Sequence, residues 1–307
     1  MIKLKKYEEQ DYSRIIKFLR EEYKQNKNEG SWLAQRWEDM EYRCEPMNVI
    51  ERGKLSWHRH IFVWEDCGEI VAILNSEGGP ECWMHIHSGY EFLFEEMLKM
   101  AETNIAEKGN ILTVLALKSQ SYREKILLKH GYTKNEDIEE ISFLKRAKCN
   151  KEYSVNIKEG FKVIVGTDGL NHLEIFNACG YGFHPEDEGK YDNIKDLPAS
   201  WAFREKAPMF DYKYEVIVKA PNGETASYSY VWVDKSTKSG YIEPVSTRQK
   251  YRRLGFGKAV QQATLNLMNE IGVEYCYVNP FGKTRDKFYT SAGYKTFDYE
   301  YQYKKQF

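Results

Sequence analysis

The feature that most constrains the fold of this chain is an order of predicted elements that occurs twice. In the second half, the runs EVIVKAP and ETASYSYVWVD are predicted as strands joined at Asn222-Gly223, a pair that favours a type I′ turn. A third strand (GYIEPVST), a helix over about 254–271, a strand (VEYCYVN), a short helix ended by Gly293 and a final strand follow.

The first half repeats this order. HIFVWED and EIVAILN form a predicted hairpin around Cys67-Gly68; ECWMHIH is a third strand, EFLFEEMLKMAETNIA a helix, ILTVLAL a strand and YREKILLKH a short helix ended by Gly131. Each half also opens with an amphipathic helix, over about 12–22 and 170–178. We therefore predict an α/β (α+β) chain of two tandem domains, 1–150 and 151–307, divided in the polar segment 147–156. Each is a mixed, mostly antiparallel sheet flanked by helices, and the terminal YQYKKQF is expected to form an edge strand.

Composition limits the classes of partner. The 307 residues carry a net charge of -1, which gives no reason to expect nucleic acid or an anionic membrane as a partner. No apolar stretch approaches the length of a membrane span. The six cysteines are scattered without a CxxC pair, which is typical of reduced thiols and predicts a cytoplasmic protein. We expect a monomer or a homodimer.

The run YRRLGFGK (251–258) lies between a predicted strand and a predicted helix. Gly255 and Gly257 let the backbone approach a ligand closely, and the helix start offers unpaired N–H groups to a pyrophosphate. Arg252, Arg253 and Lys258 add positive charge at the same point. By itself the pattern RxxGxG is equally compatible with a tight turn that carries surface basic residues.

Two linked motifs in this half resemble those of the GNAT superfamily of N-acetyltransferases. In that family Q/R-x-x-G-x-G/A opens a helix a few residues after an apolar strand, as 252–257 does after Val245-Ser246-Thr247. The second motif, F-Y-x-x-x-G-F, is similar to Phe288-Tyr289 followed by Ala292-Gly293-Tyr294. The resemblance rests on these motifs over 151–307 and on element order alone over 1–150.

This resemblance implies an N-acetyltransferase that moves an acetyl group from acetyl-CoA, its co-substrate, to an amine of a small molecule or peptide in a ternary complex. Tyr289 would protonate the departing thiolate. Tyr241 occupies the family's usual glutamate position, so Glu243, on the same strand face, is the predicted general base. A main-chain N–H near Val245 or Ser246 would stabilise the oxyanion. The implied cofactor contacts are Val245, Ser246, Thr247, Arg252, Arg253, Leu254, Gly255, Phe256, Gly257, Lys258 and Asn279, the last replacing a family asparagine expected near Gly282.

The first half lacks these residues. Glu91, Phe94 and Glu96 stand where the second half has Arg252, Gly255 and Gly257, and Leu127 stands at the position of Tyr289. Carboxylates would repel phosphates at such a turn. We predict a degenerate GNAT-like domain without a cofactor motif, which packs on the other domain and shapes the acceptor pocket.

Other interpretations stay open. A catalytically silent acyl-CoA-binding or sensing protein would keep the same turn, and an aminoacyl-transfer enzyme of the peptidoglycan-bridge type would share the doubled fold. The loop 180–201, with Tyr181, Phe183, Trp201 and three consecutive acids, is either a site for a cationic amine or a solvated loop. Two HxH pairs, at 58 and 60 and at 85 and 87, lie on candidate strands, but no partner ligand is spaced to help them, and we predict no metal.

Overall fold

The structure is a computed structural model that describes residues 1–26, 32–106 and 111–307. The regular elements of the first half are, in order, β1 (Lys3–Lys6), α1 (Asp11–Asn26), α2 (Ala34–Asp39), β2 (Phe62–Asp66), β3 (Glu69–Asn75), β4 (Glu81–Ile86), α3 (Phe94–Asn104), β5 (Ile111–Leu117), α4 (Ser121–Lys129), β6 (Thr133–Lys134) and β7 (Ser142–Lys148). Those of the second half are β8 (Lys162–Val165), α5 (His172–Phe183), α6 (Ala199–Ala202), β9 (Glu215–Lys219), β10 (Thr225–Asp234), β11 (Ser239–Thr247), α7 (Phe256–Glu270), β12 (Tyr275–Val278), α8 (Gly282–Ala292) and β13 (Lys295–Gln306).

The predicted tandem order is confirmed: both halves contain the hairpin, third strand, helix, strand and short helix in the expected succession. The turn at Cys67-Gly68 has positive φ at both residues, 52° and 86°, and connects Asp66 directly to its pairing partner Glu69. The type I′ prediction at Asn222-Gly223 is wrong, because only Gly223 has a positive φ. Gly223 instead closes a turn by donating to the carbonyl of Ala220 at 2.9 Å, and Pro221 pre-sets the φ of the second turn residue.

The strands in the described part of the chain form a single thirteen-stranded sheet. Its order is β1-β2-β3-β4-β5-β13-β7-β12-β11-β10-β9-β8, with β6 paired to β13. The expectation that YQYKKQF forms an edge strand is therefore wrong: it pairs with β5 from Tyr301 to Gln306 and, on its other side, with β6 at Tyr303 and Lys304. The strand order ends at β1 and β8. Nothing local in the sequence reports which strand will be a neighbour, because pairing partners are set by the whole fold.

The last strand of each half pairs with the fifth strand of the other half. β13 runs antiparallel to β5 from Glu300↔Leu117 to Gln306↔Ile111, and β7 runs antiparallel to β12 from Tyr275↔Lys148 to Val278↔Lys145. The two halves thus exchange strands reciprocally. The division at residue 150 remains a prediction, and the pairing crosses it in both directions.

The first two helices of the chain bind the second half directly. Arg20 on α1 donates to Asp234 at 2.7 Å, and Gln35 on α2 donates to Ser239 Oγ at 2.7 Å. Buried apolar side chains of both halves, such as Trp37 and Trp232, belong to one continuous core. Among the described residues, the structure contains no helix with the length and apolar character that a membrane crossing requires.

The sequence analysis predicted neither the strands β1, β6, β7 and β8 nor the turns that follow α2. After α2 in the sequence, two π-helical turns span Met40–Cys44 and Met47–Glu51. A π-helical turn does not repeat its side chains every 3.6 residues, so the test for helical periodicity does not detect it. This segment, which we call the π segment (40–51), packs against α6 of the second half, where Ser200 donates its N–H to Glu51 at 2.6 Å.

Candidate functional site

The strands β11 and β12 are parallel but stay together over only three pairs, from Ser239↔Tyr275 to Tyr241↔Tyr277. A register shift against β10 between Ser229 and Val231 redirects β11, as β-bulges do. In the described part of the chain, the β12-facing edge of residues 242–247 is consequently paired with no strand. An extended ligand could add to this edge by main-chain hydrogen bonds.

The open edge of β11 leads directly to the start of α7. Gly255 caps that helix in the left-handed region, with φ of 85°, which glycine adopts without steric cost. Helix geometry leaves the N–H groups of Phe256, Gly257 and Lys258 without partners inside the helix. A side chain at Gly257 would lie 3.1 Å from the Phe288 ring and 3.3 Å from Thr247 Oγ1, so glycine keeps this corner open. The turn is suited to an anion.

The basic side chains of this turn divide into two groups. Arg253 and Lys258 are exposed, as phosphate-binding side chains would need to be. Arg252 is exposed as well, but its Nη2 donates to the carbonyl of Gly182 at 2.7 Å and its Nε to that of Thr247 at 3.2 Å. Arg252 therefore braces the turn against α5 and β11, and its role toward phosphate remains a prediction.

The residues predicted to contact the cofactor from β11 and α7 differ in whether their side chains are exposed or buried. Val245 and Thr247 are half-buried on the open side, whereas the side chain of Ser246 is buried against Gly182. Phe256 is buried, with its ring 4.4 Å from that of Phe161, while Leu254 is exposed. Ser246 and Phe256 would thus serve a ligand through their backbone alone. Asn279 lies half-buried just after β12, on the opposite side of the gap.

Tyr289 projects from α8, beside this gap. Its ring packs edge-on against Tyr294 at 5.6 Å, and its neighbour Phe288 contacts Gly257, so α8 and α7 meet at the turn. Burial raises the pKa of the Tyr289 phenol, and the negative charge of Glu243 raises it further. The hydroxyl therefore keeps its proton at neutral pH and can donate it.

Glu243 lies on β11, in the part of the strand that has diverged from β12. Its surroundings raise the pKa of the carboxyl to about 7, chiefly through burial, although 41% of the side chain remains accessible. Asp39 raises this pKa further by repulsion, while Arg43 opposes the shift, with its Nη2 3.6 Å from Glu243 Oε1. A carboxyl with such a pKa can exchange protons at neutral pH, as a general base must.

Four charged residues of the first half surround Glu243, and the sequence analysis missed them. Arg36 and Asp39 lie on α2, Arg43 on the π segment, and Glu77 between β3 and β4; their charges all act on the Glu243 carboxyl. The repeat carried a signal for them, because α2 and the π segment follow α1 in the first half as the loop 180–201 follows α5 in the second.

The loop 180–201 is organised internally. Tyr181 is buried and donates to Asp192 at 2.8 Å, and Trp201 is buried beneath the Arg204 guanidinium at 3.5 Å. Glu188 forms an ion pair with Arg248. Tyr181 and Trp201 therefore do not offer their rings to a cation, whereas Phe183 and Glu186 are exposed. A site for a cationic amine in this loop remains a prediction.

The histidine pairs are also placed differently from the prediction. His58 and His60 lie in a 3-10 turn, not on a strand, and His58 contacts Glu41 at 2.7 Å. His85 is on β4, as predicted, where burial lowers its pKa to about 3 and Asn75 lies 2.9 Å away. Within residues 1–26, 32–106 and 111–307, no cluster of three or more potential ligands for a metal ion is found.

The first half has a corresponding gap that its own side chains fill. β4 and β5 pair only at Glu81↔Thr113 and Cys82↔Val114 before they diverge. Arg123, buried on α4, donates to the carbonyl of Met84 at 2.6 Å inside this gap and leaves a cavity of about 40 Å³. At the turn before α3, the carboxylate of Glu91 accepts the N–H of Gly89 at 3.0 Å. The absence of a cofactor site here remains a prediction, which this filling supports.

Neither a protein-family model nor a curated protein matches this sequence. Solved structures do match the fold. A GCN5-related N-acetyltransferase from Sphaerobacter thermophilus superposes with a TM-score of 0.66 at 13% identity, over 99% of this chain and 95% of that chain. A tandem GNAT protein from the clavulanic acid biosynthesis pathway gives 0.63 at 11% identity, over 100% and 98%. A GNAT-family acetyltransferase from Colwellia psychrerythraea gives 0.59 at 11% identity, over 98% and 99%. The chain therefore has the tandem fold of the GCN5-related N-acetyltransferases.

Proposed function

We propose that the second half binds acetyl-CoA between β11 and β12 and transfers its acetyl group to an amine of a small molecule or peptide. The observation that carries the proposal is the continuous path from the unpaired edge of β11 to the glycine-capped start of α7, with Glu243 and Tyr289 beside it. Such an edge would pair with the pantetheine arm, and such a helix start would bind the pyrophosphate.

The chemical roles follow from the protonation states of the two residues. Acetyl-CoA supplies the thioester. Glu243, with a pKa of about 7, takes a proton from the acceptor ammonium, directly or through water, so that the neutral amine can attack. A main-chain N–H at Val245 or Ser246 stabilises the negative oxygen. As the C–S bond breaks, Tyr289 gives its proton to the departing thiolate, and the second proton of the attacking nitrogen returns to the tyrosinate, directly or through water.

Calorimetric titration with acetyl-CoA tests the cofactor site. We expect micromolar-range binding to the wild-type protein and its loss in a Gly255→Glu, Gly257→Glu double variant, because two carboxylates would repel the pyrophosphate. A Gly272→Glu variant is the matched control: Gly272 also has a positive φ and open surroundings but lies at the far end of α7.

Circular dichroism must show that both variants are folded. Retained binding in the control together with loss in the double variant supports the proposal. A folded wild-type protein that binds no acetyl-CoA would refute it and leave the glycine turn as a purely structural connection.

A further inference from the structure

We infer that the acceptor of this reaction is a cationic amine without a carboxylate beside the reacting nitrogen. The inference rests on the proposed function and concerns the charged residues around Glu243, which both halves of the chain contribute. Its basis is the arrangement of these charges, because Arg43 and Arg36 are each already bound to a carboxylate of the protein.

Arg43 is held by Asp39. The Nε and Nη2 atoms of Arg43 each lie 2.6 Å from a different oxygen of Asp39, so the planar guanidinium is fully engaged along one side. Asp39 is almost completely buried and 17% of the Arg43 side chain is accessible. The same Nη2 lies 3.6 Å from Glu243, which is longer than a hydrogen bond.

Arg36 is held in a similar way. Its Nη2 donates to Glu77 Oε1 at 2.7 Å, and its guanidinium lies over the rings of Trp32 and Trp83 at 4.6 and 5.0 Å. Stacking and ion pairing together fix this side chain, of which 17% is accessible.

These pairs leave Glu243 as the surplus charge. Two guanidinium groups balance Asp39 and Glu77, and ionised Glu243 then makes the group negative. An ammonium is attracted to this carboxylate. A carboxylate next to the ammonium would be repelled by this surplus negative charge, because the charge of each arginine is already balanced by a carboxylate of the protein.

A further cation, Arg285, acts on Tyr289 from the other side of the gap. It is exposed on α8 and donates to the carbonyl of Phe281 at 3.2 Å. Its charge acts on Tyr289, and it is not among the charges that act most strongly on the Glu243 carboxyl.

Matched acceptors test the inference on the wild-type protein. Phenethylamine, tyramine and isoamylamine are compared with phenylalanine, tyrosine and leucine, which add only a carboxylate beside the amine; phenylalanine amide controls for size. We expect kcat/KM for each carboxylate-free amine, and for the amide, to exceed that of the amino acid by at least about tenfold.

Releasing Arg43 gives a second, independent readout. Asp39→Asn removes the charge that holds the guanidinium, and we expect the preference for carboxylate-free amines to fall several-fold. Glu65→Gln is the control, because Glu65 binds Arg14 at 2.6 Å on the surface of the first half, and its loss should leave the preference unchanged. If Asp39→Asn does not fold, the wild-type comparison decides alone.

Equal kcat/KM values for each amine and its matching amino acid would overturn the inference. Protein that binds acetyl-CoA but acetylates neither member of any pair would overturn it too. A preference for the amino acids would overturn it as well. Failure to bind acetyl-CoA is a different result, because it refutes the proposed function and removes this inference with it.

Discussion

Lys145 on β7 and Thr290 on α8 are joined by a hydrogen bond of 2.9 Å, so a strand of the first half holds the helix that carries Tyr289. The same ammonium donates to Thr296 at 2.8 Å and forms an ion pair with Asp286, and 1% of the Lys145 side chain is accessible. The position of the proposed acid thus depends on both halves of the chain.

Lys145→Met keeps the length of the side chain but leaves Asp286 without its buried partner. We expect the free energy of unfolding to fall by about 2 kcal/mol, measured by urea denaturation. We also expect kcat to fall more than affinity for acetyl-CoA. Lys148→Met, on the exposed end of the same strand, is the control and should change neither quantity. Wild-type stability in Lys145→Met would show that the network contributes nothing.

The raised pKa of Glu243 predicts the pH dependence of the reaction. Below about pH 7 the carboxyl is protonated and cannot take a proton, so kcat/KM should fall on the acid side with an apparent pKa near 7. Glu243→Gln should lower the rate and remove this acid limb. An unchanged limb in that variant would assign the titration to another group.

The raised pKa of Glu243 also predicts how stability depends on pH. Stability should fall as the pH rises, whereas activity should increase. The folded state binds the Glu243 proton more tightly than the unfolded state, where the pKa is near 4.5, so stability falls as pH rises from about 4.5 through about 7. Replacing the carboxyl by an amide removes this loss. The melting temperature of Glu243→Gln minus that of wild type should therefore be larger at pH 8 than at pH 5.

Tyr289→Phe tests proton donation to the thiolate. We expect kcat to fall by about 10²-fold, the usual contribution of a general acid, while calorimetry shows unchanged affinity for acetyl-CoA. Tyr301→Phe, on β13 against the first half, is the matched loss of a hydroxyl and should keep full activity. A protein that only binds or senses acyl-CoA would show no turnover to lose, so this pair of variants also separates that alternative.

Gly182 marks the closest approach of α5 to β11. A Cβ there would lie 2.6 Å from Ser246 Cβ and 3.0 Å from the Thr247 nitrogen, so the helix must move if alanine is introduced. We expect Gly182→Ala to cost about 1–3 kcal/mol of stability and to weaken acetyl-CoA binding. Gly180→Ala, on the same helix with open space around it, should instead stabilise by up to about 1 kcal/mol. Equal changes in stability for Gly182→Ala and Gly180→Ala would show that the close approach of α5 to β11 does not require glycine at position 182.

The sequence predicted the tandem fold because each half contains its own local signals. Cys67-Gly68, Gly131 and Gly293 all have positive φ at the turns and helix ends where they were expected, and alternating apolar runs became strands. The turn at Gly255 was found for the same reason, since glycine spacing and charge are local properties.

The rest of the candidate site depends on distant contacts. Arg43 lies near Glu243 only because the π segment packs against the second half. A π-helical turn leaves no periodic pattern in the sequence from which this contact could be predicted. Likewise, the run YQYKKQF has the polar character of an exposed strand, yet it pairs with β5 along one side and, at Tyr303 and Lys304, with β6 on the other. Its lysines reach outward: Lys305 donates to Glu102 at 2.8 Å.

The exchange of terminal strands has a consequence for how this chain can change over generations. One copy of a duplicated domain can ordinarily be deleted without loss of the other, but here the first copy supplies β7 to the second copy and receives β13 in return. Deletion of either copy would remove a strand from the middle of the other. The two copies are therefore inherited as one unit, and selection preserves the backbone of each copy even where mutation alters its side chains.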